Sequence, residues 1–171
     1  MKRLLCFILT AMLGVGNVCA DELEYTALYV GSGKAYVNDV EMRIDPENEE
    51  VKVFVENNRS YLPIRFIGEN YKGDVEWDED TRTVNIAFEE REISLTIGIP
   101  EIRINGEVKA LDVAPIIRNG RTFLPVRACV EAIGKEVFYS NGLIIISDIP
   151  DILHEIWDAD IVDEFIETYF L

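Results

Sequence analysis

The segment beginning at Asn57, NNRSYLPIRFIGENYK, returns as NGRTFLPVRACVEAIG beginning at Asn119. At an offset of 62 residues and without a gap, Asn57, Arg59, Leu62, Pro63, Arg65 and Glu69 meet the same residue types at Asn119, Arg121, Leu124, Pro125, Arg127 and Glu131. A chain that repeats itself builds one supersecondary unit twice, and that constraint comes before any other.

Each copy has the same order of parts. AYVNDVEMRI and IRINGEVKAL are short apolar runs broken at Asn38-Asp39 and Asn105-Gly106, dipeptides that favour tight hairpins. RSYLP and RTFLP then read as strands that end in proline. Proline suits the first turn of a helix, where its missing N–H costs nothing, so a short helix is expected after Pro63 and after Pro125. Ile64, Ile67, Gly68 and Tyr71 share one face of the first helix, and Val126, Cys129, Val130 and Ile133 one face of the second. Gly73 and Gly134 are the expected stops. Beyond the first helix the period changes to two, which turns Val75 with Trp77, and Val84, Ile86, Phe88, Ile93, Leu95 and Ile97, inward from antiparallel strands. The fold class read from this is α+β: two repeats of antiparallel β-strands curled around a short helix, with a C-terminal amphipathic helix.

An Asn-Gly hairpin, NGRTFLPVR, a Glu four residues after that Arg, a glycine and a V-x-W-D strand resemble the copper amine oxidase N-terminal domain-like family, also called stalk domains. The resemblance runs from about Tyr36 to Asp148 as two tandem motif copies. It implies small antiparallel sheets curled about a helix, in secreted or envelope proteins chiefly of Gram-positive bacteria. The second copy departs from the pattern at Ala128 and Cys129, which replace bulkier residues, and at FYSNG, which replaces EWDED.

The ends of the chain read differently. Lys2 and Arg3 precede an apolar run from Leu4 to Val15, and VCA ends at Ala20, as in a cleaved secretory signal; acylation at Cys19 is the competing reading. No other apolar run is long enough to span a bilayer, so no transmembrane segment is expected in the mature chain. Without Lys2 and Arg3 the chain keeps 14 basic against 32 acidic residues, a balance that repels nucleic acid and anionic lipid. Cys6 and Cys19 would leave with the signal, so Cys129 remains alone and no internal disulfide is expected. The expected organisation is 1–20 signal peptide, 21–98 first repeat, 99–148 second repeat and 149–171 C-terminal helix.

No cofactor or metal is expected. A copper amine oxidase needs several imidazole ligands, and this chain has one histidine, His154, read as a solvated residue. The acidic runs DPENEE at Asp45 and DED at Asp78 lack the glycine and spaced oxygens of a calcium loop. Cys129 stands on the apolar helix face and reads as core rather than nucleophile. The candidate binding residues are Arg65, Glu69, Arg127, Glu131, Trp77, Tyr139 and Phe138. The two Arg/Glu pairs run against local preference, since a cation at a helix N-terminus opposes the dipole. They read first as structural ion pairs tying helix to sheet and second as a receptor for an anion. Trp77 and Tyr139 share a strand face with Val75 and Val137, which favours packing over a sugar platform.

Leu153, Trp157, Ile161, Phe165 and Tyr169 recur every fourth residue in the C-terminal stretch. Leu143 and Ile145 stand where the first copy has Thr83 and Asn85, and Phe138 where it has Glu76. The helix is therefore expected to fold back onto the outer face of the second sheet. The function expected from all this is that of a secreted non-catalytic binding or scaffolding module at the bacterial cell envelope. Cell-wall polysaccharide or another envelope protein is its expected partner. The alternative is a small secreted hydrolase using an acidic residue pair.

Overall fold

The computed structural model describes residues 25–148 and 159–171. The expected signal segment, His154, Leu153, Trp157 and the helix start at Pro150 and Asp151 lie outside the described residues. The first half of the fold comprises β1 (Tyr25–Tyr29), β2 (Lys34–Val37), β3 (Val40–Arg43), β4 (Phe54–Glu56), β5 (Arg59–Pro63), helix α1 (Ile64–Asn70), β6 (Asp74–Asp78) and β7 (Thr83–Phe88). The second half repeats that order: β8 (Arg91–Thr96), β9 (Glu101–Ile104), β10 (Glu107–Ala110), β11 (Ile116–Arg118), β12 (Arg121–Pro125), α2 (Val126–Ala132), β13 (Glu136–Ser140) and β14 (Leu143–Ser147). Helix α3 (Ala159–Tyr169) closes the chain.

The shared asparagines make the turns. Asn38 and Asp39 have φ of 49° and 64°, and Asn105 and Gly106 have 48° and 86°, the left-handed pair that a two-residue hairpin of this twist requires. The same chemistry at Asn57-Asn58 and Asn119-Gly120 joins β4 to β5 and β11 to β12. β2 and β3 then align with β9 and β10 at an offset of 67 residues, while β4 to β6 align with β11 to β13 at 62. Residues 46–50 are the insertion that accounts for the change.

The halves interlock. A central four-stranded sheet runs β11-β12-β5-β4, with Leu62 paired to its own counterpart Leu124. An approximate twofold axis therefore passes through that pair. Sheet one runs β13-β14-β1-β2-β3 and sheet two β10-β9-β8-β7-β6, so each takes three strands from one half and two from the other. The position 98/99, expected to divide the repeats, falls between β8 and β9, which pair with each other. Helix α1 packs on β12 and α2 on β5, so each helix also crosses to the other half. One core results, and it contains Leu62, Ile67, Ile93, Leu124 and Val130 together.

Both helices follow a proline in extended conformation, Pro63 and Pro125. Each ends in a Schellman-type turn: the Gly73 N–H donates to the Gly68 carbonyl at 2.8 Å and the Lys135 N–H to the Val130 carbonyl at 3.0 Å. Gly134 takes the left-handed position with φ 82°, as expected, but in the first half that position falls to Lys72, φ 58°. Gly73 follows it with room for a side-chain carbon at ordinary van der Waals distances. A Cβ there would stand 3.4 Å from the Ile86 side chain and 3.5 Å from the Ala87 carbonyl.

The outer faces of sheets one and two differ. β7 alternates buried Val84, Ile86 and Phe88 with polar or small residues, whereas every residue of β14 is buried. Helix α3 is the cause. Its Val162, Phe165 and Ile166 pack on Tyr25, Ala27, Tyr36, Phe138, Leu143 and Ile145, the outer face of sheet one, as the apolar replacements lead one to expect. Tyr169 and Phe170 complete the seal with rings 4.8 and 5.4 Å from that of Tyr36. Burial and the Glu41 carboxylate, 2.8 Å away, push the Tyr36 hydroxyl up to about 12.

Candidate functional site

The Arg/Glu pairs of the repeat are not ion pairs with each other. Arg65 is 62% exposed and its nearest recorded carboxylate is Glu47, at 4.0 Å. Glu131 lies 3.9 Å from Lys109, and no ion pair within 4.0 Å joins Arg65 to Glu69 or Arg127 to Glu131. The expectation that Arg65 pairs with Glu69 and Arg127 with Glu131 is thus corrected. At the N-terminus of a seven-residue helix these arginines project away from the core.

Among the cations that tie the halves together, besides Arg118 with Glu56 at 2.5 Å, are the other repeated arginines, Arg59 and Arg121. Arg121 Nε donates to Asp45 at 2.5 Å, and Arg59 engages Asp112. Asp45 and Asp112 occupy equivalent places, so each half offers its aspartate to the arginine of the other. Only one of the pairs is sheltered: Asp45 is 8% exposed and Asp112 70%. Burial alone would raise the Asp45 carboxyl. The Arg121 guanidinium and the backbone N–H groups of Glu47 and Asn48 outweigh it and hold the group below the usual carboxylate range.

Trp77 and Tyr139 are 44% and 49% exposed, so the expected packing of both in the core is also corrected. They lie on β6 and β13, the edge strands of sheets two and one. Val75, against which α1 presses so closely that a Cβ on Gly68 would come within 2.1 Å of it, is the last residue on that face to be covered. Phe138 is buried under α3 and offers no ligand surface. Cys129 is buried in the core, which pushes its thiol well above the ordinary range. Asp45 and Asp78 each accept two backbone N–H groups in their turns. Among the described residues no three His, Cys, Asp or Glu side chains are grouped to hold a metal.

The feature with the shape of a binding site is a groove of about 480 Å³ beside α2. Ile102, Ala128, Val137 and Ile144 form its apolar floor; Arg59, Asp112, Lys109, Arg127, Glu131 and Tyr139 stand on its polar rim. The volume falls within the range of small-ligand sites. Its origin is legible in the repeat. Where α2 has Ala128, α1 has Phe66, a core residue only 3% exposed. Where β10 has Lys109, β3 has Met42, packed against the core. Ile102 stands opposite Ala35 and takes back part of the lost volume, but the groove persists. A second cleft of about 400 Å³ lies where β1 and the end of α1 meet the end of α2. Two of its three cations are engaged, Lys135 by Asp148 at 2.5 Å and Arg91 by the Ala132 carbonyl at 2.7 Å; Lys72 is the third.

The fold is thus a strand-exchanged double repeat carrying an open groove beside α2, where Ala128 stands in place of Phe66, with no assembled catalytic or metal-binding set among the described residues. The model of the copper amine oxidase N-terminal domain matches residues 43–146, and the chain belongs to that family. The domain after which the family is named is non-catalytic. No curated protein and no solved structure matches the chain. No helix among the described residues is long and apolar enough to cross a membrane.

Proposed function

We propose that the protein is a secreted, non-catalytic module that binds a partner at the bacterial cell envelope through the groove beside Ala128. The asymmetry of the repeat carries this reading: two halves that share the same turns, helices and interlocking ion pairs differ where a bulky ring would close the groove. A scaffold without a ligand has no use for that gap, which costs packing energy in proportion to its volume. Membership in a family built on a non-catalytic domain supports the same reading. The acid-pair alternative finds less support, because both groove carboxylates face cations, Asp112 with Arg59 and Glu131 with Lys109 at 3.9 Å. A catalytic acid needs the opposite, an apolar site that keeps it protonated.

Retention of the purified protein on isolated cell walls and on immobilised envelope proteins, compared with Ala128→Phe, tests this. Retention that the filled groove abolishes is the expected result. Absence of retention on either material would overturn the envelope role.

A further inference from the structure

We infer that the groove takes an extended, acidic peptide segment of a partner protein, an aromatic side chain seating against Ala128 and a carboxylate settling between Arg59 and Arg127. The inference rests on the reading of the groove as a binding surface, and the first half of the molecule supplies its template. There the chain occupies the corresponding place itself. Phe66 provides the ring. Glu47, carried by the insertion at residues 46–50, provides the carboxylate: it lies 3.0 Å from Arg121 and 4.0 Å from Arg65. Arg121 and Arg65 are the counterparts of Arg59 and Arg127, and both of the latter line the groove. The second half lacks the insertion and the phenylalanine together. Arg59 and Arg127 therefore flank a space from which both the ring and the acid are missing.

What fills the template is polypeptide, a loop over a helix side chain, and the surroundings of the groove admit the same. β10, the edge strand of sheet two, contributes Lys109 and Ala110 to it, and an unpaired strand edge accepts an extended chain. Charge agrees locally. The chain carries a net charge of −16, yet here three cations, Arg59, Lys109 and Arg127, meet two carboxylates, Asp112 and Glu131, and leave one positive charge. At physiological ionic strength fields decay over about 8 Å, so this local excess is screened from the distant acids.

The test uses a fluorescein-labelled heptapeptide with Glu-Phe-Glu at its centre and Gly or Ser elsewhere, titrated with the purified protein and followed by anisotropy. Binding is expected with Kd below about 1 mM. It should weaken at least tenfold when the central Phe is Ala, when both Glu are Gln, in Arg127→Glu and in Ala128→Phe. If the new ring strains the site, Ala128→Phe combined with Ile102→Ala recreates the pairing of Phe66 with Ala35 and should block the groove with its urea midpoint preserved. Affinity unchanged by the filled groove, or no binding at all, overturns the proposal. So does 3-phenylpropionate displacing the peptide at equal concentration, which would make the ligand a small aromatic acid. Cell-wall retention that survives Ala128→Phe would leave the envelope role standing and remove the peptide. Peptide binding without envelope retention would do the reverse.

Discussion

Sheets one and two are built from equivalent strands, yet one is packed on both faces and the other on one. Position by position, Tyr25, Ala27, Tyr36, Phe138, Leu143 and Ile145 on sheet one correspond to Glu92, Ser94, Arg103, Glu76, Thr83 and Asn85 on sheet two. The inner faces stay apolar in both, because both close the same core. Interlocking therefore depends on the inner faces alone, and an outer face is free to take whatever covering the rest of the chain provides. In sheet one that covering is α3; in sheet two the described residues leave the outer face exposed or half-buried.

Removing the cover is the strongest way to break the difference. Truncation after Asp148 exposes the surface that Val162, Phe165 and Ile166 bury, a loss on the order of 5 kcal/mol from area alone. A large drop in the urea midpoint with new binding of a hydrophobic dye is the expected outcome. Exchanging single residues between the sheets comes next. Ile145→Asn, which installs what sheet two carries, leaves an amide under α3 and should cost about 3 kcal/mol. Asn85→Ile, the reverse exchange, should leave the midpoint within about 0.5 kcal/mol and instead promote self-association, seen by light scattering, through a new exposed apolar patch.

The two interlocking ion pairs sharpen the contrast between halves at a smaller scale. Arg121→Ala strands the sheltered Asp45 and should cost about 2 kcal/mol, less than a fully buried pair because Arg121 keeps some exposure. Arg59→Ala, whose partner is exposed, should cost less than about 1 kcal/mol. The sheltered pair also predicts a pH dependence. The Asp45 carboxyl is depressed in the folded state, so its stabilisation is fully present above the unfolded value of about 3.9 and fades as pH falls through the lower folded value. Urea midpoints of wild type and Asp45→Asn should therefore differ at pH 7 and converge in acid. The smallest effect is expected for Lys72→Gly, which gives the first helix the C-terminal residue of the second and should raise stability by less than about 1 kcal/mol.

The sequence made the hairpins, the strand–proline–helix unit and the docking of α3 legible because each rests on a local pattern or on a replacement visible in the repeat. Val162 and Ile166 were missed within α3: a stripe read at every fourth residue drifts around a helix of 3.6 residues per turn, and the buried face includes the neighbouring column. Trp77 and Tyr139 misled because strand parity gives the face but not how far the cover extends along it. The helices of Arg65 and Arg127 carried no sign of a partner, because the carboxylate near Arg65 sits in an insertion 18 residues upstream, at Glu47. Nor could spacing reveal the strand exchange, since two closed units and two interlocked ones need the same alternation. The groove was legible only as a departure, Ala128 against Phe66, and needed the core around it before the departure became a space.

The pairing of Tyr25 with Ser147 joins the first described strand to the last strand of the double repeat. A ribosome or a translocation channel delivers a chain from one end, so β1 finds β2 directly but has no strand on its other edge until β14 has followed. β7 likewise finds β8 directly, but the rest of sheet two waits for β9 and β10. The native state is thus available only to a completed chain, and its folding rate should be set by late, long-range closure rather than by the early half.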